Sequence, residues 1–238
     1  LGEAFVLTGA VAWVVDVAPE GGRSQALGYL ASGVWGGLAV GPLVAQAMTT
    51  FPRTAMLVIG AGLLSALVLF ATVPPPVRKG GPKPKLRLGV VALPGSILGC
   101  TNIGYAVLAT FMPLLLDTRG VAGGPAFTAF AMTVLSSRLL LGSLPDRWGP
   151  RKTLMGGMAT MALGFGLMIL SHSVAMSVTA AAIVGFGYSF PWPSLAVIVV
   201  DRVSEYERAS ALAALTAFFD LFVAVGAAVA GAIGDHFG

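Results

Sequence analysis

Charge is what this sequence has least of. Only 10% of its 238 residues are Asp, Glu, Lys or Arg, where a soluble globular domain carries roughly 25%. The few charges are bunched, leaving apolar runs of about 20 residues, the length that spans a hydrocarbon core. That distribution excludes an ordinary water-soluble domain. Cysteine is nearly absent. Cys100 stands alone inside an apolar run, so neither a disulfide framework nor a cysteine metal cluster is expected. The two histidines, His172 and His236, lie at the ends of apolar runs and carry no chemistry there. No nucleophile–base pair, metal-ligand cluster or phosphate-cradling loop stands out, so neither an enzyme nor a cofactor is expected. No secretory leader is expected, because no basic region followed by a cleavage site opens the chain.

What is present is apolar. Hydrophobic residues make up 56% of the chain and the mean hydropathy is +0.88. The net charge of +4 and pI near 9.6 would suit a nucleic-acid partner. The basic residues, however, recur between apolar runs and form no continuous face, so none is expected. Eight spans can be drawn, roughly 1–18, 23–48, 53–73, 88–116, 123–145, 151–171, 173–200 and 207–234. They are read as helices because lipid leaves backbone polar groups no outside partner. The expected fold class is therefore all-α, a polytopic membrane protein. Connections are short except for residues 74–87, PPPVRKGGPKPKLR, a flexible basic linker that divides 1–73 from 88–238.

The basic residues also orient the spans. Of the 14 Lys and Arg residues, all but Arg53 and Arg119 fall in alternate loops or at the span ends beside them. Those loops, including Arg78–Arg87 and Arg147–Lys152, are expected on the cytoplasmic side. An internal repeat supports the count of spans. A shift of 185 residues lays VVDVAPEGGRSQALGYL over VVDRVSEYERASALAAL, pairing Asp16 with Asp201, Glu20 with Glu205 and Arg23 with Arg208. Six spans fill one period.

Residues 138–152, RLLLGSLPDRWGPRK, join two spans. Arg138, Gly142 and Asp146 are four apart, so they share a stripe if the span stays helical to its end. A charged reversal follows, with glycine where the chain bends. This stretch resembles the R-x-x-x-G-x-x-x-D-R-x-G-x-R-K loop signature of the major facilitator superfamily of secondary transporters. Arg138, Gly142, Asp146, Arg147, Gly149, Arg151 and Lys152 fill its fixed positions. The resemblance implies two parallel six-helix halves, as in other repeat-built transporters. Eight spans with a six-span period then read as helices 4 to 11 of twelve, and so as a fragment. It further implies alternating access by rocking of the halves, with the turn as a latch. Asp146 would face the start of a helix in the other half, near residues 22–24, a favourable carboxylate–dipole contact.

Polar groups inside spans mark the path candidates, because they are costly in lipid and tend to face protein or a water-filled cavity. Glu3 reads as a protonatable or substrate-binding carboxylate, or as an interfacial residue. Asp220, midway along the last span, reads as a path carboxylate or as a structural partner of Arg138 or of a neighbouring Ser or Thr. Asn102 and Tyr105 lie on the fourth span. Tyr188 and Trp192 lie in GFGYSFPWPS, where glycines and prolines interrupt the seventh. Broken helices point to substrate sites, although a packing kink gives the same pattern.

LGE near the start and SALAALTAFFDLFVAVG near the end look most like the bacterial sugar-efflux, arabinose-efflux-permease-like branch. The implied function is proton-linked export of small organic molecules, sugars or drugs, by a monomer in the bacterial inner membrane. Its partners are the substrate, protons and the bilayer. A nutrient-importing facilitator or symporter, or a non-transporting receptor on the same fold, stays open as an alternative.

Overall fold

In hydrocarbon a backbone amide finds its partner within its own helix or pays several kcal/mol, and the described residues answer almost entirely with helices. The computed structural model describes residues 51–72, 88–121, 123–204 and 207–237, with helical positions at 10, 30, 33, 34, 36, 37, 40, 41 and 44. From residue 51 onward the described residues form eight helices in order: α1 (Phe51–Thr72), α2 (Leu88–Thr118), α3 (Gly124–Leu141), α4 (Leu144–Trp148), α5 (Pro150–Ile169), α6 (Val174–Tyr188), α7 (Pro191–Val200) and α8 (Arg208–Phe237). No strand occurs among the described residues. Among the described residues, five stretches are long and apolar enough to cross a membrane: Leu88–Thr118, Gly124–Leu141, Pro150–Ile169, Val174–Val200 and Ser210–Ala232. The all-α membrane architecture is as expected. The spans drawn at 1–18 and 23–48 and the linker at 74–87 lie largely or wholly outside the described residues.

Two spans differ from the sequence reading. The span drawn at 123–145 ends as a helix at Leu141, and α4 follows as a separate single turn. Pro145 supplies the reason. Its ring clashes with the carbonyl four residues back, at Leu141, and it offers no N–H to that carbonyl. The uninterrupted stripe from Arg138 to Asp146 is therefore broken at Gly142–Ser143. The span drawn at 173–200 is two helices, α6 and α7, separated by Ser189 and Phe190.

The bent pair α6–α7 sits at the centre of the bundle. Of its most apolar stretch 61% is buried, against 18% for the corresponding stretch of α8. Helix α6 packs on α3 and α5, α7 packs on α5, α2 and α8, and α2 packs along α8. One core group gathers Leu108, Met112, Phe130, Val134, Ala180 and Val184; a second gathers Val91, Leu98, Leu195, Val199 and Leu215. The approach of α2 to α8 needs glycine, since a Cβ on Gly95 would lie 2.6 Å from the Phe218 ring. Outward faces carry Leu63, Leu67, Leu163 and Val229, all exposed, as a lipid-facing surface requires.

Two polar devices close helix ends. At the start of α8, Ser204 N–H and Oγ–H donate to Glu207 Oε2 at 3.3 and 2.8 Å, half of a capping box. At the end of α5, Arg119 Nη1 donates to the carbonyls of Ile169 and Ser171 at 3.2 and 2.6 Å. A cation on the last carbonyls of a helix offsets its dipole. That contact accounts for one of the two basic residues outside the basic loops. Replacing Arg119 by Ala should cost about 1 kcal/mol of stability, the scale of a charged helix-end contact, and lower the melting midpoint in detergent. An unchanged midpoint would remove this role.

Candidate functional site

The site is built around the break between α6 and α7. In an unbroken helix the carbonyls of Gly187 and Ser189 would accept from residues 191 and 193. Both are prolines and have no N–H to give. The chain closes the gap with shorter turns: Ser189 N–H donates to Phe186 O at 3.2 Å and Phe190 N–H to Gly187 O at 3.4 Å. Ser189 Oγ–H donates to Gly185 O at 2.9 Å and reaches Val134 O of α3 at 3.4 Å. The prolines, not the glycines, make the break, since α6 runs through Gly185 and Gly187 to Tyr188. Gly187 serves packing instead: a Cβ there would lie 2.5 Å from Gly157 O and 2.6 Å from Met161 N on α5.

The break delivers Tyr188 into the core. Its hydroxyl donates to Asn102 Oδ1 on α2 at 2.5 Å. Asn102 Nδ2 donates to Leu98 O at 2.7 Å, and Thr101 Oγ1–H donates to the same carbonyl at 2.7 Å. Asn102 is 0% and Tyr188 4% exposed, so their polar atoms meet inside the protein rather than in water. Aromatic rings surround the pair. Tyr105 stacks on Tyr188 with centroids 5.5 Å apart and on Phe130 at 5.9 Å. Phe130 lies 5.6 Å from Tyr188 and 6.1 Å from Phe127. Tyr105 and Phe127 are half-buried, and so form the open side of this aromatic wall.

Three of the six path candidates, Asn102, Tyr105 and Tyr188, are thus brought together. Trp192 is half-buried against the second core group, with Leu195 and Val199. Asp220 lies on the exposed face of α8 beside Leu221, while Phe218 and Phe222, half a turn round, face α2. Glu3 is outside the described residues. The sequence reading passed over Phe127 and Phe130, although two aromatics three apart on one helix were a signal for a shared face. Ser194 is fully buried with an Oγ that has no hydrogen-bond partner among the described residues.

The signature turn lies at the far end of α3. Gly149 has φ 85° and ψ 144°, a conformation reserved for glycine. A Cβ on Gly142 would lie 2.5 Å from Arg138 O, so both signature glycines have a local steric reason. Thr153 pins the turn by donating to Gly149 O at 3.1 Å and reaching Leu144 O at 3.4 Å. Asp146, Arg147, Arg151 and Lys152 are exposed. Arg138 is half-buried and close enough to Tyr188 to act on it electrostatically. The turn and the aromatic wall therefore share one charged side chain. Of the repeat-related charges, Asp201 caps the end of α7 and Arg208 opens α8; Asp16, Glu20, Arg23 and Glu205 are outside the described residues. No group of three or more His, Cys, Asp or Glu side chains that could hold a metal occurs among the described residues.

Comparison with known proteins covers the whole chain. The profile of the family described as Major Facilitator Superfamily matches residues 1–135 and 95–238. An uncharacterized MFS-type transporter of Salmonella typhimurium, STM4428, is 30% identical over 246 residues, covering 100% of this chain and 63% of that protein. The uncharacterized MFS-type transporter YhhS of Escherichia coli K12 is 28% identical over 238 residues, covering 98% of this chain and 59% of that protein. The chain spans about three-fifths of the length of these relatives.

The Tyr188–Asn102 pair makes a quantitative prediction. Hydrogen bonds between membrane helices average about 0.6 kcal/mol and reach about 1.7, and a fully buried, short bond belongs at the upper end. A double-mutant cycle with Tyr188→Phe and Asn102→Leu should give a coupling of about 1 to 2 kcal/mol in thermal or denaturant unfolding. Additive effects would mean that the two side chains do not bond.

Proposed function

The chain belongs to the major facilitator superfamily, and we propose that the protein is a secondary transporter: a proton-coupled exporter of small organic molecules, sugars or drugs, in a bacterial inner membrane. The signature-bearing turn carries this reading. Its two glycines sit where local geometry requires them, and Asp146, Arg147, Arg151 and Lys152 are left exposed at the end of the bundle. They are free to engage the other half in one state and release it in another. The loops at 78–87 and 147–152 face the cytoplasm in this reading, and the transporter works as a monomer with substrate, protons and bilayer as its partners. No catalytic chemistry is assigned to it.

Each candidate then has a role. Asp146 contacts a helix start in the other half and opens with the change of state. Asp220 takes and releases the coupling proton. Its place on an exposed helix face supports this, since a carboxylate at that depth costs about 2.5–3.5 kcal/mol even on the gentlest insertion scale. Tyr105 and Phe127 offer a planar apolar surface to substrate, while Asn102 and Tyr188 hold that surface rigid from behind.

The test uses the full-length protein in proteoliposomes with an internal pH dye, adding candidate sugars and cationic drugs. Substrate-dependent proton flux should be present in the wild type and absent in Asp220→Asn. Flux unchanged by that substitution would leave Asp220 a structural acid, and no flux with any compound would favour a facilitator. Asp146→Asn should slow transport by about two- to fivefold, the range that a carboxylate–dipole contact commands, with an unchanged melting midpoint. Normal transport in that variant would remove the latch.

A further inference from the structure

A cavity of about 390 Å³ opens between the start of α5 and the end of α7, lined by Trp148, Gly149, Pro150, Arg151, Lys152, Ile198, Asp201 and Arg202. Three of these are cations and one is a carboxylate, so the cavity is net positive. All four charged side chains are exposed. So is Trp148, at 66%, and its large ring packs little against the protein. The cavity is at the mouth of the bundle, where the apolar stretches of α5 and α7 meet polar connections. An exposed tryptophan beside a basic cluster at that level matches the surroundings of a lipid headgroup, which offers an amphipathic layer to the ring and a phosphate to the cations.

We propose that this cavity is a binding site for one anionic phospholipid headgroup. Its phosphate is held by Arg202 from the end of α7 and by Arg151 and Lys152 from the start of α5. Trp148 lies along the glycerol and upper acyl region, and Ile198 forms the apolar floor. Asp201 limits the net charge, which favours a singly charged phosphodiester over a dianionic phosphate. Arg202 and Ile198 lie outside the loop signature and Trp148 fills one of its variable positions, so the site extends beyond the latch while sharing Gly149, Arg151 and Lys152 with it. The inference does not depend on whether the protein transports, or in which direction. It does make the lipid a neighbour of the turn: a bound headgroup would neutralise two of the turn's cations and bias its position.

Native mass spectrometry of the full-length protein in detergent tests this, with an equimolar mixture of phosphatidylglycerol and phosphatidylcholine. The wild type should retain phosphatidylglycerol preferentially. Arg202→Gln should reduce that preference about fivefold, the contribution of one basic residue beside an anionic lipid surface. Arg202→Lys should keep it, and Arg53→Gln, on an exposed cation outside the cavity, should leave it intact. Trp148→Ala should weaken retention of both lipids. No preference in the wild type, or an unaltered preference in a folded Arg202→Gln, would overturn the proposal. Displacement of the lipid by millimolar inorganic phosphate would overturn it too, because the cavity would then be a site for free phosphate.

Discussion

The two amides that Pro191 and Pro193 cannot supply set the arrangement of the described bundle. In lipid a freed carbonyl has no water to turn to, so the break between α6 and α7 has to be closed by the protein itself. Shortened turns at Ser189 and Phe190 do part of this, and the Ser189 hydroxyl ties the break to α3. The rest is packing. Glycines at 157 and 187 let α5 come close enough to seal one side, and α2 crosses the other side with Asn102 under the Tyr188 hydroxyl. The most buried span is therefore also the least regular one. Irregular backbone at membrane depth is tolerated only where protein surrounds it.

From this centre the molecule grades outward in burial. Around Tyr188 the polar atoms of Asn102 and Thr101 are met inside the protein, and stacked rings fill the remaining volume. At the signature turn the opposite holds: a single-turn helix, a glycine at positive φ, and charges exposed. Arg138 stands between them, on the last turn of α3, electrostatically linked to Tyr188 and covalently close to Gly142. A change in the turn can thus be felt at the edge of the aromatic wall without the wall having to repack. Such a division into a buried core and an exposed end suits the alternating access proposed for the protein.

The fold was legible because hydrocarbon thickness and helix rise dictate span length, and the described helices begin and end within a few residues of the drawn spans. The reading missed where a single proline outweighed apolar periodicity. Pro145 ends α3 at Leu141, and the prolines of the seventh span were weighed together with glycines that in fact serve packing. Of the path candidates, Asn102, Tyr105 and Tyr188 could be named from their polarity in apolar spans. That they would meet could not, because contacts across α2, α3 and α6 depend on helix rotation, which a run of apolar residues on all faces leaves unspecified. The spacing of Phe127 and Phe130 marked a shared face, but one phenylalanine among many carries no sign of being central. Arg119 was read only as a charge on the wrong side, since its partners at Ile169 and Ser171 lie 50 and 52 residues away.

In the proposed transport cycle the bent span stays fixed while the signature turn changes partners. Amide hydrogen exchange on the full-length protein tests it most directly, comparing residues 99–106 and 186–190 with residues 144–153 in the presence and absence of a transported compound or a pH step. Protection around Asn102 and Ser189 should be unchanged, and protection at the turn should change by about tenfold or more, equivalent to about 1.4 kcal/mol of local opening free energy. Exchange at Asn102 and Ser189 that moves together with the turn would contradict it, and would make the broken helix itself the moving part.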